Sequence, residues 1–530
     1  SGGDAAATAA SQRGGTIRVD IRNDFDFIDP SLSYFSHSWQ LQSATQLTLM
    51  GFPDKEGDAG ARMAPQAATG LPVVSKDGKT YTFTVRPGFR FSDGKPVTAA
   101  SFAAAINRAL VPRMQSPASS FLGDVVGAQA VLDGKAQTAS GVKAQGNRLT
   151  ITLTKVAPDF VARMTMPFFS AIPTNLPVNP DGVDAPLVSA GPYYVKDWVK
   201  GRSALVVRNP YWNRNKEPWK SLGRPANADA FQYTIGNSLD ATRLRLESNQ
   251  TDLGNIPPSA HAELAQKYGI NKDRWFVRKQ QVLWYFALNN DQPLFKNNPK
   301  LRQAVNWAID RPQLTRQHGY LGGSRTDQVL PPGMLGFTNW NVYPLGGVNQ
   351  VSLAKAKALA AGNTRDGKAV MYTFNSSPGP QIAQVVQYNL KQIGLDVEIR
   401  LFDRVVQNTK GGTKGEPFDI TYEGWGADYP DPYNFINKLF DGTNIQATNN
   451  NNISYFDDPA WNAKIKKAAL LSGDARGQAY AELDRGITRD AAPIAAYVNT
   501  NARILVGPDI GCYMYQPVLG TTNLVAVCKK

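Results

Sequence analysis

Residues 369–401 carry the pattern that most restricts the fold of this chain. Ala369 to Phe374 has the length and apolarity of a strand. From Pro380 to Ile393, apolar residues return at Ile382, Val386, Leu390 and Ile393, the spacing of one helix face, and Gly394 stops that helix. Val397, Ile399 and Leu401 then alternate as a second strand. Two strands joined through a helix imply a parallel pair with a right-handed crossover, which places the chain among α/β folds. Asp419 to Glu423 reads as the following strand, so Gly424 to Asp428 is expected at a strand's carboxyl end, where open α/β sheets hold ligands. The whole stretch, FDITYEGWGADYPDPYNFINKLF from Phe418 to Phe440, sets one carboxylate beside an aromatic plate and glycine backbone. That suits a small-molecule cleft, while its Asp and Pro residues equally suit a self-stabilised turn.

The 530 residues suggest two or three domains, and 42% hydrophobic with 19% charged residues allow a large core. No apolar run approaches the roughly 20 residues of a membrane span, and no signal peptide heads the sequence, so a soluble mature protein is expected. Ser1 to Gly15 is rich in Gly, Ala, Ser and Thr and reads as a tether or the remnant of processing. The 57 basic residues exceed the 43 acidic ones, a net charge of +14. They are scattered among acids and prolines, without zinc-finger spacing or an RNP-like segment, so no nucleic-acid partner is expected, while attraction to an anionic cell envelope fits. The two cysteines, Cys512 and Cys528, would form a disulfide worth about 3 kcal/mol in an exported protein, or two buried thiols in a cytosolic one.

Gly15 to Ile21 alternates like a first strand, and the segment after Asp29-Pro30 is aromatic and polar, with Tyr34, Phe35 and Trp39 open to either ligand contact or packing. The section from about Gly51 to Pro173 resembles a small α+β subdomain: Thr80 to Val85 alternates cleanly, Thr98 can cap a helix bearing Phe102, Ala105, Ile106 and Ala109, and Leu149 to Leu153 alternates again. A hairpin is expected around Lys200-Gly201-Arg202, a strand from Ala230 to Ile235, and a helix from Asp240 to Glu247 with Leu244 on its buried side. Val282 to Leu288 is a continuous apolar run, as in a strand covered on both faces, and Ile494 to Val498 reads as a late strand.

Catalytic constellations are missing. His37, His261 and His318 are far apart and show no metal-ligand spacing. There is no GxSxG elbow, P-loop or strand-linked GxGxxG, and the acid group Asp24, Asp26 and Asp29 lacks the pattern of a calcium loop. No enzyme activity, metal or cofactor is expected, although a hydrolytic site assembled from distant residues is compatible with the sequence.

Five segments, in order, carry a family likeness: FRFSDGKPVT from Phe89, SAGPY from Ser189, RNPYW from Arg208, LRQAVNWAIDR from Leu301, and WGADY from Trp425. Together they cover nearly the whole chain after Gly15, which resembles the extracytoplasmic solute-binding proteins of the dipeptide/oligopeptide class, the receptors of peptide-importing ABC transporters. The resemblance implies a two-lobed α/β receptor that closes on its ligand. After a tether over residues 1–14, lobe I would comprise 15–50, 168–279 and 486–530, with 51–167 as its extra subdomain, and lobe II would be 280–485. It further implies that Asp428 meets the ligand's α-ammonium, that Gly424, Trp425 and Gly426 bond it as an added strand, and that Tyr34 and Tyr497 serve as walls. Some relatives have an Arg three residues before the loop's Trp, where this chain has Tyr422, so the partner of a ligand carboxylate is left open. The implied cargo is an oligopeptide, or another small molecule such as a metal complex, sugar or specialised metabolite. The implied partners are ABC permease subunits, and the implied setting is an extracytoplasmic monomer, with a lipid anchor as one way of holding it there.

Overall fold

The computed structural model describes residues 12–530, and the expected tether lies outside it up to residue 11. Gly14 and Gly15 are tied down, their N–H groups donating to the Asn227 carbonyl and the Asp229 carboxylate. The chain forms two compact units: unit 1 is Ser1–Arg278 with Arg503–Lys530, and unit 2 is Lys279–Ala502.

Unit 1 is built on a mixed sheet. Its first strand, β1 (Thr16–Ile21), buries Ile17, Val19 and Ile21. A second, four-stranded antiparallel sheet runs β2 (Val73–Val74), β3 (Thr80–Thr84), β5 (Arg148–Thr152), β4 (Val142–Gln145), and is covered by α2 (Ala99–Leu110), which follows α1 (Ser36–Thr45). Phe102, Ala105, Ile106 and Ala109 are the buried face of α2, and Ser101 accepts the Thr98 N–H at its start. The chain then returns to the first sheet through the hairpin β6 (Tyr193–Val199) and β7 (Ser203–Arg208), with Gly201 at φ +74° in the turn. β8 (Ala230–Ile235) pairs antiparallel with β7 and parallel with β1, and β9 (Leu253–Gly254) is parallel to β1 on its other side. In α3 (Leu239–Glu247) the expectation for Leu244 fails: Thr242 and Leu246 are buried and Leu244 is 67% exposed. Residues four apart share a helix face, whereas Leu244 stands two positions from each and so points away. A Cys512–Cys528 disulfide, with Cα atoms 5.4 Å apart, closes the C-terminal segment.

Unit 2 is organised on six strands. β10 (Trp275–Leu288) brings the chain in, and its Leu283, Tyr285 and Ala287 enter one core while Phe286 and Leu288 enter another, so this strand is covered on both faces. Next come α4 (Pro299–Ala308), α5 (Arg311–Arg316) and β11 (Gly323–Arg325). β12 (Lys368–Phe374) and β13 (Asp396–Phe402) are parallel in register Lys368↔Asp396 to Phe374↔Phe402, linked by α6 (Gly379–Lys391). After α7 (Arg404–Gly411), β14 (Ile420–Gly426) enters between β10 and β12. α8 (Tyr433–Phe440), α9 (Gly473–Gly486) and β15 (Ile494–Leu505) complete a sheet ordered β11-β15-β10-β14-β12-β13.

The return to unit 1 differs from the expected boundary after 485. Residues 486–502 belong to unit 2, because β15 is built into the sheet between β11 and β10 and its buried residues are part of the unit 2 core. The LRQAVNWAIDR segment is structural. Arg302 donates to the Phe295 and Ala491 carbonyls, Asn306 to Ile494, and Arg311 to the carbonyls of Asn306, Thr326 and Ala496, which binds α4 and α5 to the chain around β15.

Candidate ligand-binding site

β14 ends at the stretch singled out in the sequence. It pairs with β10 over its whole length, from Leu288↔Ile420 to Val282↔Gly426, but with β12 only at Met371↔Ile420 and Tyr372↔Thr421. The Tyr422 carbonyl accepts Gln407 Nε2–H at 2.7 Å and therefore points away from β10. Strand alternation gives the main-chain groups of Gly424 and Gly426 the same direction, past the end of the β12 pairing, whereas those of Trp425 point toward β10. Glycine at 424 suits the packing: a Cβ there would lie 3.0 Å from the Trp284 indole, which would have to give way.

The side chains of β14 divide between two faces. Trp425 leans on the core containing Tyr285 and Phe435, and its indole N–H donates to the Asn434 carbonyl at 2.8 Å. Asn434, fully buried near the start of α8, also accepts the Asp428 N–H at 3.0 Å and donates from Nδ2 to Asp428 Oδ2 at 3.2 Å. One residue thus fixes both the aromatic plate and the half-buried carboxylate. The neighbouring acid Asp431 is committed elsewhere, since it takes the Arg476 guanidinium at 2.6 and 3.2 Å and receives the Tyr433 N–H ahead of α8.

Tyr422 and Tyr497 lie on the opposite face from Trp425. Both are completely buried, with their hydroxyls 2.7 Å apart, and Tyr497 also meets His318 Nε2 at 2.6 Å. The structure does not bring Tyr497 to the loop, and its ring offers no surface as a wall; the alternation of β15 places it in the core against Phe286. Burial raises the ionisation of both phenols above the usual range, so they are neutral hydrogen-bonding groups. Tyr34, in unit 1, is 38% exposed, with its ring on Trp39 and Phe168 and its N–H donated to Asp26.

Sequence reasoning missed Asn434, whose only signal is a polar residue on the inner side of an aromatic helix. It also missed Glu423, a buried carboxyl that accepts from Thr421 Oγ1 and Gln407 Nε2. Burial pushes it up to about 7, partly opposed by the charge of Arg404. Among the described residues no group of three or more His, Cys, Asp or Glu side chains is placed to hold a metal ion, and no helix is long and apolar enough to cross a membrane.

Comparison with known proteins defines the class. The family described as bacterial extracellular solute-binding proteins, family 5, middle, matches residues 62–447, and the chain belongs to this family of binding proteins. The periplasmic oligopeptide-binding protein of Escherichia coli K12 is 26% identical over 462 residues, covering 84% of this chain and 81% of its own. The oligopeptide-binding protein of Bacillus subtilis 168 is 25% identical over 505 residues, covering 91% and 86%. Among solved structures, a clavulanic acid biosynthesis oligopeptide binding protein 2 aligns with a TM-score of 0.88 and 25% identity over 98% of this chain and 96% of its own. The unliganded open form of a periplasmic murein tripeptide binding protein aligns at 0.77 with 22% identity, covering 98% and 97%, a likeness of fold. The two-lobed α/β periplasmic-binding fold is therefore the fold of this chain.

Proposed function

We propose that the protein is an extracytoplasmic receptor that binds oligopeptides and delivers them to an ABC-type membrane importer. The observation that carries this reading is the end of β14, where the main chain of Gly424 and Gly426 faces past the last β12 pairing and Asn434 holds the Asp428 carboxylate beside Trp425. A free strand edge bonds extended backbone of any sequence, and a carboxylate at its end favours a chain that begins with an ammonium group. Tyr34, exposed in unit 1, is available for ligand contact, and Tyr497 is assigned to packing. A lipid attached upstream of Ser1 would hold such a receptor at the membrane. The names of the relatives and the absence of a catalytic constellation in the sequence support binding over turnover.

Calorimetric titration with tri- to penta-alanine tests the reading. Tight binding that falls at least about tenfold in Asp428→Ala, with the same loss for N-acetylated peptides on the unaltered protein, is expected. Equal affinity in all three measurements removes Asp428 from this role.

A further inference from the structure

A carboxylate at the other end of the ligand requires a cation that the hydroxyl of Tyr422 does not supply. Arg404 stands on the same aromatic group. It is the first residue of α7, half-buried, with its guanidinium carbon 4.5 Å from the centroid of Phe374 and 5.1 Å from that of Trp284. Both rings also pack on Tyr422, at 5.3 and 4.9 Å between centroids. The Trp284 indole in turn covers Gly424, the position where a Cβ would be crowded. Arg404 is thereby placed beside the strand edge at Gly424, while Asp428 lies four residues further along the chain.

The guanidinium has donors to spare. Among the described residues Arg404 makes no hydrogen bond and no ion pair within 4 Å. Glu423 feels its charge, but the carboxyl of Glu423 is engaged by Thr421 and Gln407. Asp403, the adjacent acid, caps α7 through the Val405 N–H. Aromatic faces hold a guanidinium by its plane and leave the N–H fork at its edge available, and that fork matches the two oxygens of a carboxylate. Lysine, a point charge without a plane, would not be oriented in this way.

We infer that Arg404 binds a ligand carboxylate, with Trp284 and Phe374 orienting the guanidinium, so that the ligand of this site is zwitterionic: an ammonium at Asp428 and a carboxylate at Arg404. This rests on the peptide-binding reading and deepens it. The carboxylate is either the C-terminus of a short peptide or an acidic side chain.

The test is a selectivity ratio. Tri- to penta-alanine are titrated as free acids and as C-terminal amides, together with Ala-Glu-Ala amide, into the unaltered protein and into Arg404→Gln and Arg404→Lys. The expected result is a preference of tenfold or more for acid over amide that collapses to about one in Arg404→Gln and returns only in part in Arg404→Lys. If instead Ala-Glu-Ala amide is preferred over Ala-Ala-Ala amide, and that preference collapses in Arg404→Gln, the carboxylate comes from a side chain. A ratio preserved in Arg404→Gln, whatever the absolute affinities, overturns the assignment and leaves the peptide reading standing. Failure of every peptide to bind the unaltered protein overturns the peptide reading, and this assignment with it.

Discussion

In unit 1 a buried carboxylate meets a cation. Arg108 lies across Asp29 with bonds of 2.7 and 2.6 Å, Arg163 joins Asp124 and Asp159, and Asp252 is shared by Arg18 and Lys529. The loosest pair, Asp54 and Arg224 at 3.5 Å, is the one where burial raises the carboxyl despite its partner. Unit 2 buries its charges mostly apart. Arg302 and Arg311 end on carbonyl oxygens and are pushed down to about 10, while Glu423 and Asp484 sit among neutral donors and are pushed up to about 7; the Asp431–Arg476 pair is the exception. A paired charge has its desolvation offset by its partner, whereas the separated groups of unit 2 carry that cost alone and are shifted toward their neutral forms. The two units should therefore respond differently to loss of a charge and to pH.

The largest effect is expected from Arg108→Met, which leaves Asp29 buried without its guanidinium and should cost about 3–5 kcal/mol in urea unfolding. A loss below about 1 kcal/mol would show that the pairs of unit 1 are no more committed than the charges of unit 2. Next is Glu423→Gln. The folded-state value of this carboxyl stands above its ordinary 4.5, so its contribution is fully present below about pH 4.5 and is lost as pH rises through 7. The variant should be more stable than the parent by about 3 kcal/mol at pH 8 and equal to it near pH 4.5, read as the difference in unfolding free energy across that window. A constant difference at all pH values would mean that Glu423 does not titrate there.

The smallest effect belongs to His261 in unit 1, which accepts the Trp275 indole N–H on Nδ1 and is pushed down to about 4 by burial. Here the sign reverses. The folded protein binds fewer protons than the unfolded chain between about pH 6.5 and 4, so stability is lost as pH falls through that window. Partial solvent screening holds the loss below about 1 kcal/mol at pH 5.5. Thermal melting of His261→Gln against the parent, from pH 7.5 to 5.5, should show the difference narrowing on the acid side.

The parts of the fold legible in the sequence are those where local pattern and tertiary demand coincide. β12, α6 and β13 alternate in period as their burial requires, and the β6–β7 hairpin is announced by its polar Gly turn. The expectation for Leu244 fails because α3 is short and its pattern offers two faces of similar apolarity. The return of the chain to unit 1 is not legible because Ile494 to Val498 looks the same whichever sheet receives it. At the site, the position of Gly424 to Asp428 follows from strand order, but the parts played by Asn434 and Arg404 do not. Each matters through residues remote in sequence or across a sheet, Asn434 through Trp425 and Arg404 through Trp284 and Phe374. Tyr497 shows the same limit in reverse, since a one-residue difference in register decides which face a strand's aromatic residue occupies.

The division of the chain also sets an order in time. Unit 2 is one uninterrupted stretch, Lys279–Ala502, whereas unit 1 is left open until residues 503–530 arrive to bring Leu524, Val525 and Val527 into its core. Synthesis therefore completes unit 2 while residues 12–278 still lack the piece that closes their core. Residues 503–530 also carry both cysteines, so the covalent lock forms within the segment that completes unit 1 and that is made after unit 2.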